Sequence, residues 1–154
     1  MKMLEITQGQ ADSVFESLSQ KYRIIAPVEK PGEGRFSNTS LLTYDQAKSF
    51  KEIDFFKKTY FSPKEVLFPV RESLFEFKKS DIHELQEEIQ PSIVFLRACD
   101  INAVGITDAH FLNNEKFKDV YYGRRRNLVK LFLIECKESF ESCFCVSMGT
   151  NKSE

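Results

Sequence analysis

Two apolar runs separated by a helical pattern constrain this chain more than any other feature of its sequence. Residues 92–98 form an apolar run rich in branched side chains, as expected of a buried strand. Asp100 can cap a following helix that has Val104 on its apolar face. Residues 128–134 form a second apolar run. The succession of strand, helix and strand predicts a βαβ unit with parallel strands at about residues 92–135.

The segments before this unit predict further elements around it. Thr7 and Gln10 have the spacing of a capping box, which predicts a helix over about residues 8–21. Residues 22–28 predict a short strand, and the polar segment 80–88 predicts a short surface helix. The predicted fold class is therefore α/β, with a mixed sheet and flanking helices around the βαβ unit.

The charge balance excludes several classes of partner. The 22 basic residues nearly match the 23 acidic ones, and the net charge is -1. This excludes a generally basic nucleic-acid binder and a polybasic membrane surface. No apolar stretch approaches the roughly 20 residues that a membrane helix needs, and the N-terminus has no run of signal-peptide length. We therefore expect a soluble cytoplasmic protein with no nucleic-acid or membrane partner.

All four cysteines fall in the last 56 residues of the chain. In a cytoplasmic protein they favour metal binding or catalysis over a disulfide framework. Cys99 follows the first apolar run, Cys136 follows the second, and Cys143 and Cys145 come soon after. Neighbouring parallel strands end about 5 Å apart at one edge of a sheet, which is the edge where α/β proteins bind ligands. All four thiols are therefore predicted to converge there.

The cysteine spacing bears on what such a site would hold. The pattern C-x36-C-x6-C-x-C has no short C-x2–4-C pair of the kind that structural zinc uses. This places a 4Fe-4S cluster first and zinc second, with backbone N–H groups near Ser147 and Gly149 available to the cluster sulfurs. A different interpretation stays open, in which the cysteines are small apolar residues of a core or of an alternating strand.

Charged residues near the unit add two hypotheses. Arg97 lies within the apolar run, and a buried arginine needs a paired acid, for which Asp100, Asp108 and Glu72 are available. Alternatively, its charge lies near an anionic cluster and stabilises the reduced state. The three arginines at residues 124–126 could bind an anion, but the pattern favours a solvated charged turn before the strand.

Two motifs carry a resemblance to a known family. The first runs from Arg97 through Cys99 to Asp100, and the second is C-F-C-V-S-M-G-T over residues 143–150. With these motifs the chain resembles the electron-transfer subunit of anaerobic sulfite reductase, and the same order of motifs is similar to the β subunits of sulfhydrogenase-type complexes. The resemblance extends over nearly the whole chain.

The resemblance implies an iron–sulfur protein that carries electrons within a larger complex. Such a subunit passes electrons from a flavin- and NAD(P)H-binding partner toward a sirohaem-containing partner that reduces sulfite to sulfide. The resemblance also implies that Cys99, Cys136, Cys143 and Cys145 hold one cluster. The chain lacks the ferredoxin-type run C-x2-C-x2-C-x3-C-P that family members carry. Residues 1–154 are therefore interpreted as a single domain, the N-terminal portion of a longer subunit.

Two other functions stay open from the sequence. The domain could be a non-catalytic docking module whose cysteines are structural or bind zinc. A free-standing enzyme is the weakest hypothesis, because no nucleophile–base pair, phosphate-binding loop or catalytic histidine arrangement is visible. We therefore expect a component of an oxidoreductase complex rather than a complete catalyst.

Overall fold

The computed structural model describes residues 4–79, 81–85, 89–113 and 116–153. Within these ranges the longer helices are α1 (Gln8–Ser19), α2 (Ala98–Leu112) and α3 (Val120–Leu128). The strands are β1 (Arg23–Lys30), β2 (Leu41–Gln46), β3 (Phe75–Lys78), β4 (Asp81–Glu84), β5 (Ser92–Arg97) and β6 (Val129–Ile134). Two short 3-10 helices, Phe50–Glu52 and Pro63–Val66, lie between β2 and β3. No helix of the described residues is both long enough and apolar enough to cross a membrane.

The main sheet has four strands in the order β2-β1-β5-β6. β5 is parallel to both of its neighbours, β1 and β6, whereas β2 pairs with β1 in the antiparallel direction. β3 and β4 form a separate antiparallel ribbon. The predicted α/β class, the mixed sheet and the βαβ unit at about residues 92–135 are confirmed.

The position of β5 explains its composition. Every residue of this strand is buried, because it has a strand on either side and apolar side chains against both faces. Its odd-numbered residues Ile93 and Phe95 join a core cluster with Phe15 of α1. Its even-numbered residues Val94 and Leu96 join a second cluster on the opposite face. A continuous apolar run is the pattern expected of a parallel strand that is covered on both faces.

The second cluster lies beneath α2 and α3. Tyr122, which is 1% exposed, fills its centre between the two helices and the sheet. Its hydroxyl donates to Asp108 of α2 at 2.6 Å, and Arg126 of α3 donates from Nε to both oxygens of the same carboxylate at 3.0 and 2.9 Å. One carboxylate on α2 therefore fixes the position of α3.

Two predictions of local structure were wrong. Residues 124–126 lie within helix α3 rather than in a solvated turn, and Arg125 is buried and bonded to Glu72. Asp81–Glu84 is strand β4 rather than part of a helix, because it pairs with β3. Residues 80 and 86–88, which complete the predicted helix, lie outside the described residues. The predicted capping box of α1 is confirmed in Thr7 and Gln10.

Candidate functional site

The carboxyl ends of β5 and β6 lie side by side. Arg97, the last residue of β5, is in register with Ile134, the last residue of β6. Cys99 follows in the first turn of α2, and Cys136 lies two residues beyond β6. The sheet therefore brings these two cysteines to one edge, and the chain after β6 carries Cys143 and Cys145 onward from the same edge.

Interactions among the thiols show which of them are near one another. All four are free, with Cys99 and Cys145 half-buried and the other two exposed. Burial is the largest cause that raises the pKa of Cys99, the Asp100 carboxylate adds to it, and Cys145 and Cys136 act in the same direction. Three thiols are thus within electrostatic reach at this edge. Cys143 is two residues from Cys145 in sequence. The backbone N–H of Cys143 donates to the Phe140 carbonyl at 2.9 Å.

Arg97 connects the sheet edge to two loops. Its side chain is buried, at 7% exposed, and Nη1 donates to the Cys136 sulfur at 3.1 Å. Nη2 donates to the backbone carbonyls of Phe55 at 3.3 Å and Lys57 at 3.0 Å. The guanidinium carbon also lies 4.8 Å from the centroid of the Phe140 ring, in cation–π geometry. One buried side chain therefore holds the loop after β2 and the loop after β6 together.

Two of the three acids expected to pair with Arg97 are engaged elsewhere. Asp108 bonds Arg126 and Glu72 bonds Arg125, while Asp100 acts on Arg97 only through its charge and its contact with the backbone of that residue. Among the described residues no carboxylate forms an ion pair with the Arg97 side chain. The buried positive charge instead faces a cysteine sulfur and two carbonyl oxygens, an arrangement that favours an anion at this edge.

The segment after β6 is anchored against α2 by an amide. Asn102 donates from Nδ2 to its own helix at Ala98, and also to the backbone carbonyls of Thr150 at 3.4 Å and Lys152 at 2.7 Å. Thr150 in turn donates its backbone N–H to the Cys145 carbonyl at 2.8 Å. The Cys143–Cys145 turn is therefore held beside the first turn of α2.

The two predicted backbone donors lie in the residues that directly follow this turn. Ser147 and Gly149 are both exposed, and Gly149 has a positive φ of 69°. The Gly149 N–H donates to the Val146 carbonyl at 3.1 Å, so this donor is used by the turn itself in the structure. A role of either residue toward a bound group remains a prediction.

Sequence reasoning missed several residues that build this edge. Phe140 and the carbonyls of Phe55 and Lys57 are joined to Arg97 across about 40 residues of sequence. Lys58 reaches the same loop by donating to the Ser142 hydroxyl at 3.0 Å. A residue that contributes only its backbone carbonyl cannot be recognised from its side chain. The one indication in the sequence of a distant partner was the position of Arg97 within an apolar run.

The donor set can be compared with what a metal group requires. Free thiols are the ligands that iron–sulfur clusters and zinc both accept, and three of them are near one another at the edge where ligands of α/β proteins bind. In the described ranges, no three His, Cys, Asp or Glu side chains are grouped closely enough to hold a metal ion as they stand. The residues thus fit a thiolate-bound group in chemistry, whereas the side chains as they stand do not form a metal site.

The raised pKa of Cys99 leads to a prediction of reactivity. Because the thiolate is the nucleophile, we expect iodoacetamide to modify the half-buried Cys99 more slowly than the exposed Cys143 near pH 8. The Cys99 rate should keep rising at pH values above the ordinary thiol range, as the raised pKa requires. Peptide mass spectrometry over time would measure both rates in the metal-free protein. In urea the two rates should become similar, and equal rates in the folded protein would contradict the prediction.

Fold and site together define a mixed α/β protein with free cysteines gathered at the carboxyl edge of its parallel strands. The chain is similar to Sulfhydrogenase 2 subunit beta of Pyrococcus furiosus, with 25% identity over 152 residues. The match covers 98% of this chain and 42% of that subunit, so the chain spans less than half the length of this curated relative. No family model matches the chain. No solved structure matches it either.

Proposed function

We propose that this chain is an electron-transfer module that holds one 4Fe-4S cluster through Cys99, Cys136, Cys143 and Cys145. The proposal is supported by the chemistry of four free thiols and by the place of three of them at one sheet edge. It is supported further by the similarity over 98% of the chain to a subunit named as part of a sulfhydrogenase. Bound there, the cluster would supply one-electron transfer.

The observation that carries the proposal is the surroundings of Arg97. A buried guanidinium is costly unless an anion faces it, and this one donates to the sulfur of a candidate ligand, Cys136. Its second nitrogen is fixed by two carbonyl oxygens, so the group is oriented toward the cysteines. A fixed positive charge beside a thiolate-bound group would favour its more negative, reduced form. Arg97 is therefore proposed as a positioning and charge-compensating residue.

The finer assignment is to an anaerobic sulfite reductase complex. It depends on the motif that ends in Asp100 and on the C-F-C-V-S-M-G-T motif, which are similar to those of the electron-transfer subunit of that complex. On this proposal the chain is the N-terminal domain of a longer cytoplasmic subunit. It accepts electrons from a flavin- and NAD(P)H-binding partner and passes them toward a sirohaem subunit. The chain alone would not complete the reaction.

Anaerobic reconstitution tests the cluster. The purified chain is incubated with iron and sulfide, desalted, and assayed for iron, labile sulfide and visible absorption. We expect about four iron and four sulfide per chain, as a cubane requires, and a loss of most of both in Cys99→Ser and Cys136→Ser. Ser139→Ala is the matched control, because Ser139 is an exposed residue of the same loop. A chain without iron, or serine variants that retain wild-type iron content, would overturn the proposal.

A docking module with structural zinc is the second candidate. It is favoured by three apolar side chains that alternate with the cysteines of the turn and remain exposed: Phe144 at 70%, Val146 at 71% and Met148 at 64%. Such a surface is typical of a binding face. On this candidate the purified protein would be colourless and would contain about one zinc per chain after zinc and iron are offered together.

A further inference from the structure

A cavity of about 150 Å³ lies between helix α2 and the main sheet. One helical face forms its roof, with Asp100 in the first turn and Phe111 in the last. The sheet contributes Leu96 of β5 and Leu131 of β6, and the segment around Leu67 closes a third side. The cavity lies on the α2 face of the sheet, whereas the cysteine site lies at the sheet edge.

The walls of this cavity are mostly apolar. Val94, Leu96 and Leu67 are buried residues, and each of them lines the cavity. The cavity is not sealed from solvent, because Ala103, which lines it, is exposed. An apolar cavity of about this volume can accept a small ring such as benzene.

Four polar side chains line the cavity, Ser62 and Lys64 from the segment around Leu67 and Asp100 and Thr107 from α2, and the two on α2 supply hydrogen-bond acceptors. Asp100 offers carboxylate oxygens, which accept hydrogen bonds. Thr107 also lines the cavity, and its hydroxyl donates to the Ala103 carbonyl at 2.8 Å, so its oxygen is left as an acceptor. The two acceptors on α2 face the apolar residues of the sheet across the cavity, so this side of it matches a ligand that has an apolar body and one hydrogen-bond donor.

From this arrangement we infer that the cavity beneath α2 is a binding site for a small, ring-sized apolar molecule that carries one hydroxyl or amine donor. The apolar body lies against Val94, Leu96 and Leu131, and the donor reaches Asp100 or Thr107. Binding at this site does not require the cysteines to hold a metal. It can therefore be tested independently of the proposed electron transfer.

Benzyl alcohol is the probe, and toluene is its matched comparison without the donor. Methyl NMR of the full metal-free chain would follow Val94, Leu96 and Leu131 during titration. We expect saturable shifts at these methyl groups and none at Val70, which is exposed and does not line the cavity. We also expect benzyl alcohol to bind about threefold or more tightly than toluene, the gain of one net hydrogen bond.

Variants of α2 provide the control. Ala103 is exposed but lines the cavity, so Ala103→Phe should place a ring in it and weaken binding about tenfold or more. Ala109→Phe makes the same change at an exposed position on another face of α2 and should bind like the wild type. If Ala103→Phe fails to fold, the smaller Ala103→Leu replaces it.

Each outcome decides the inference. Saturable binding that Ala103→Phe or Ala103→Leu weakens, and that Ala109→Phe retains, supports it. Shifts that do not saturate, or binding that survives in the Ala103 variant, overturn the site. Toluene binding as tightly as benzyl alcohol overturns the assigned donor. Because the chain is free of metal throughout, these results are independent of the reconstitution experiment.

Discussion

Replacement of Tyr122 by alanine is expected to lower the free energy of unfolding by about 4 kcal/mol, the cost of removing a large buried aromatic side chain. Tyr122 lies at the centre of the cluster beneath α2 and α3 and is 1% exposed. The residues around it are therefore not expected to fill the cavity that the alanine variant would leave. Urea denaturation followed by circular dichroism would measure the change in metal-free, reduced protein.

The control for this prediction is Tyr122→Phe. It keeps the ring and removes only the hydroxyl that donates to Asp108, for an expected loss of about 1 kcal/mol. Burial and the Asp108 carboxylate both raise the pKa of the Tyr122 phenol, so the hydroxyl remains a donor across the neutral range. An alanine variant no less stable than the phenylalanine variant would show that the ring does not support the cluster.

Replacement of Arg97 by methionine is the second change with a large expected effect. It should lower the free energy of unfolding by about 3 kcal/mol. Methionine keeps most of the side-chain length but removes the donors to Phe55, Lys57 and Cys136. Carbonyl oxygens left unpaired in a partly buried place are costly. The stacking on the Phe140 ring is lost as well. The same denaturation experiment measures the effect.

Arg97→Lys separates charge from geometry. Lysine keeps the positive charge, but its single ammonium group cannot reach the three acceptors in the fixed directions of a guanidinium. We expect this variant to lie between the wild type and Arg97→Met. If both variants fall within about 0.5 kcal/mol of the wild type, as ordinary surface substitutions do, Arg97 does not hold the two loops together.

The sequence was most informative where the pattern within one short segment is enough to predict its structure. The continuous apolar run of β5 required cover on both faces, and this correctly placed β5 inside a parallel sheet. The edge position of Cys99 and Cys136 then follows from strand direction alone. The α1 capping box was also predictable, because Thr7 and Gln10 satisfy each other within one turn.

Prediction failed where the deciding partner lies far away in sequence. Helix α3 was missed because three consecutive arginines are typical of an exposed turn. The acids that pair with Arg125 and Arg126 are Glu72 and Asp108, which lie 53 and 18 residues away in sequence. β4 was missed for a different reason, because its partner β3 is close in sequence but the polar pattern of the segment favoured a surface helix. Likewise, the acid expected beside Arg97 was replaced by two backbone carbonyls, which no side-chain pattern reveals.

The amide of Asn102 has a consequence for how the cysteine turn can bind anything. The chain from β6 onward is anchored at its start by the sheet and near Lys152 by this side chain, so the intervening residues form a closed loop rather than a free tail. The conformational entropy of closing that loop has already been lost in the folded chain. Binding at Cys143 and Cys145 therefore begins from a preorganised segment, which favours affinity without any added contact.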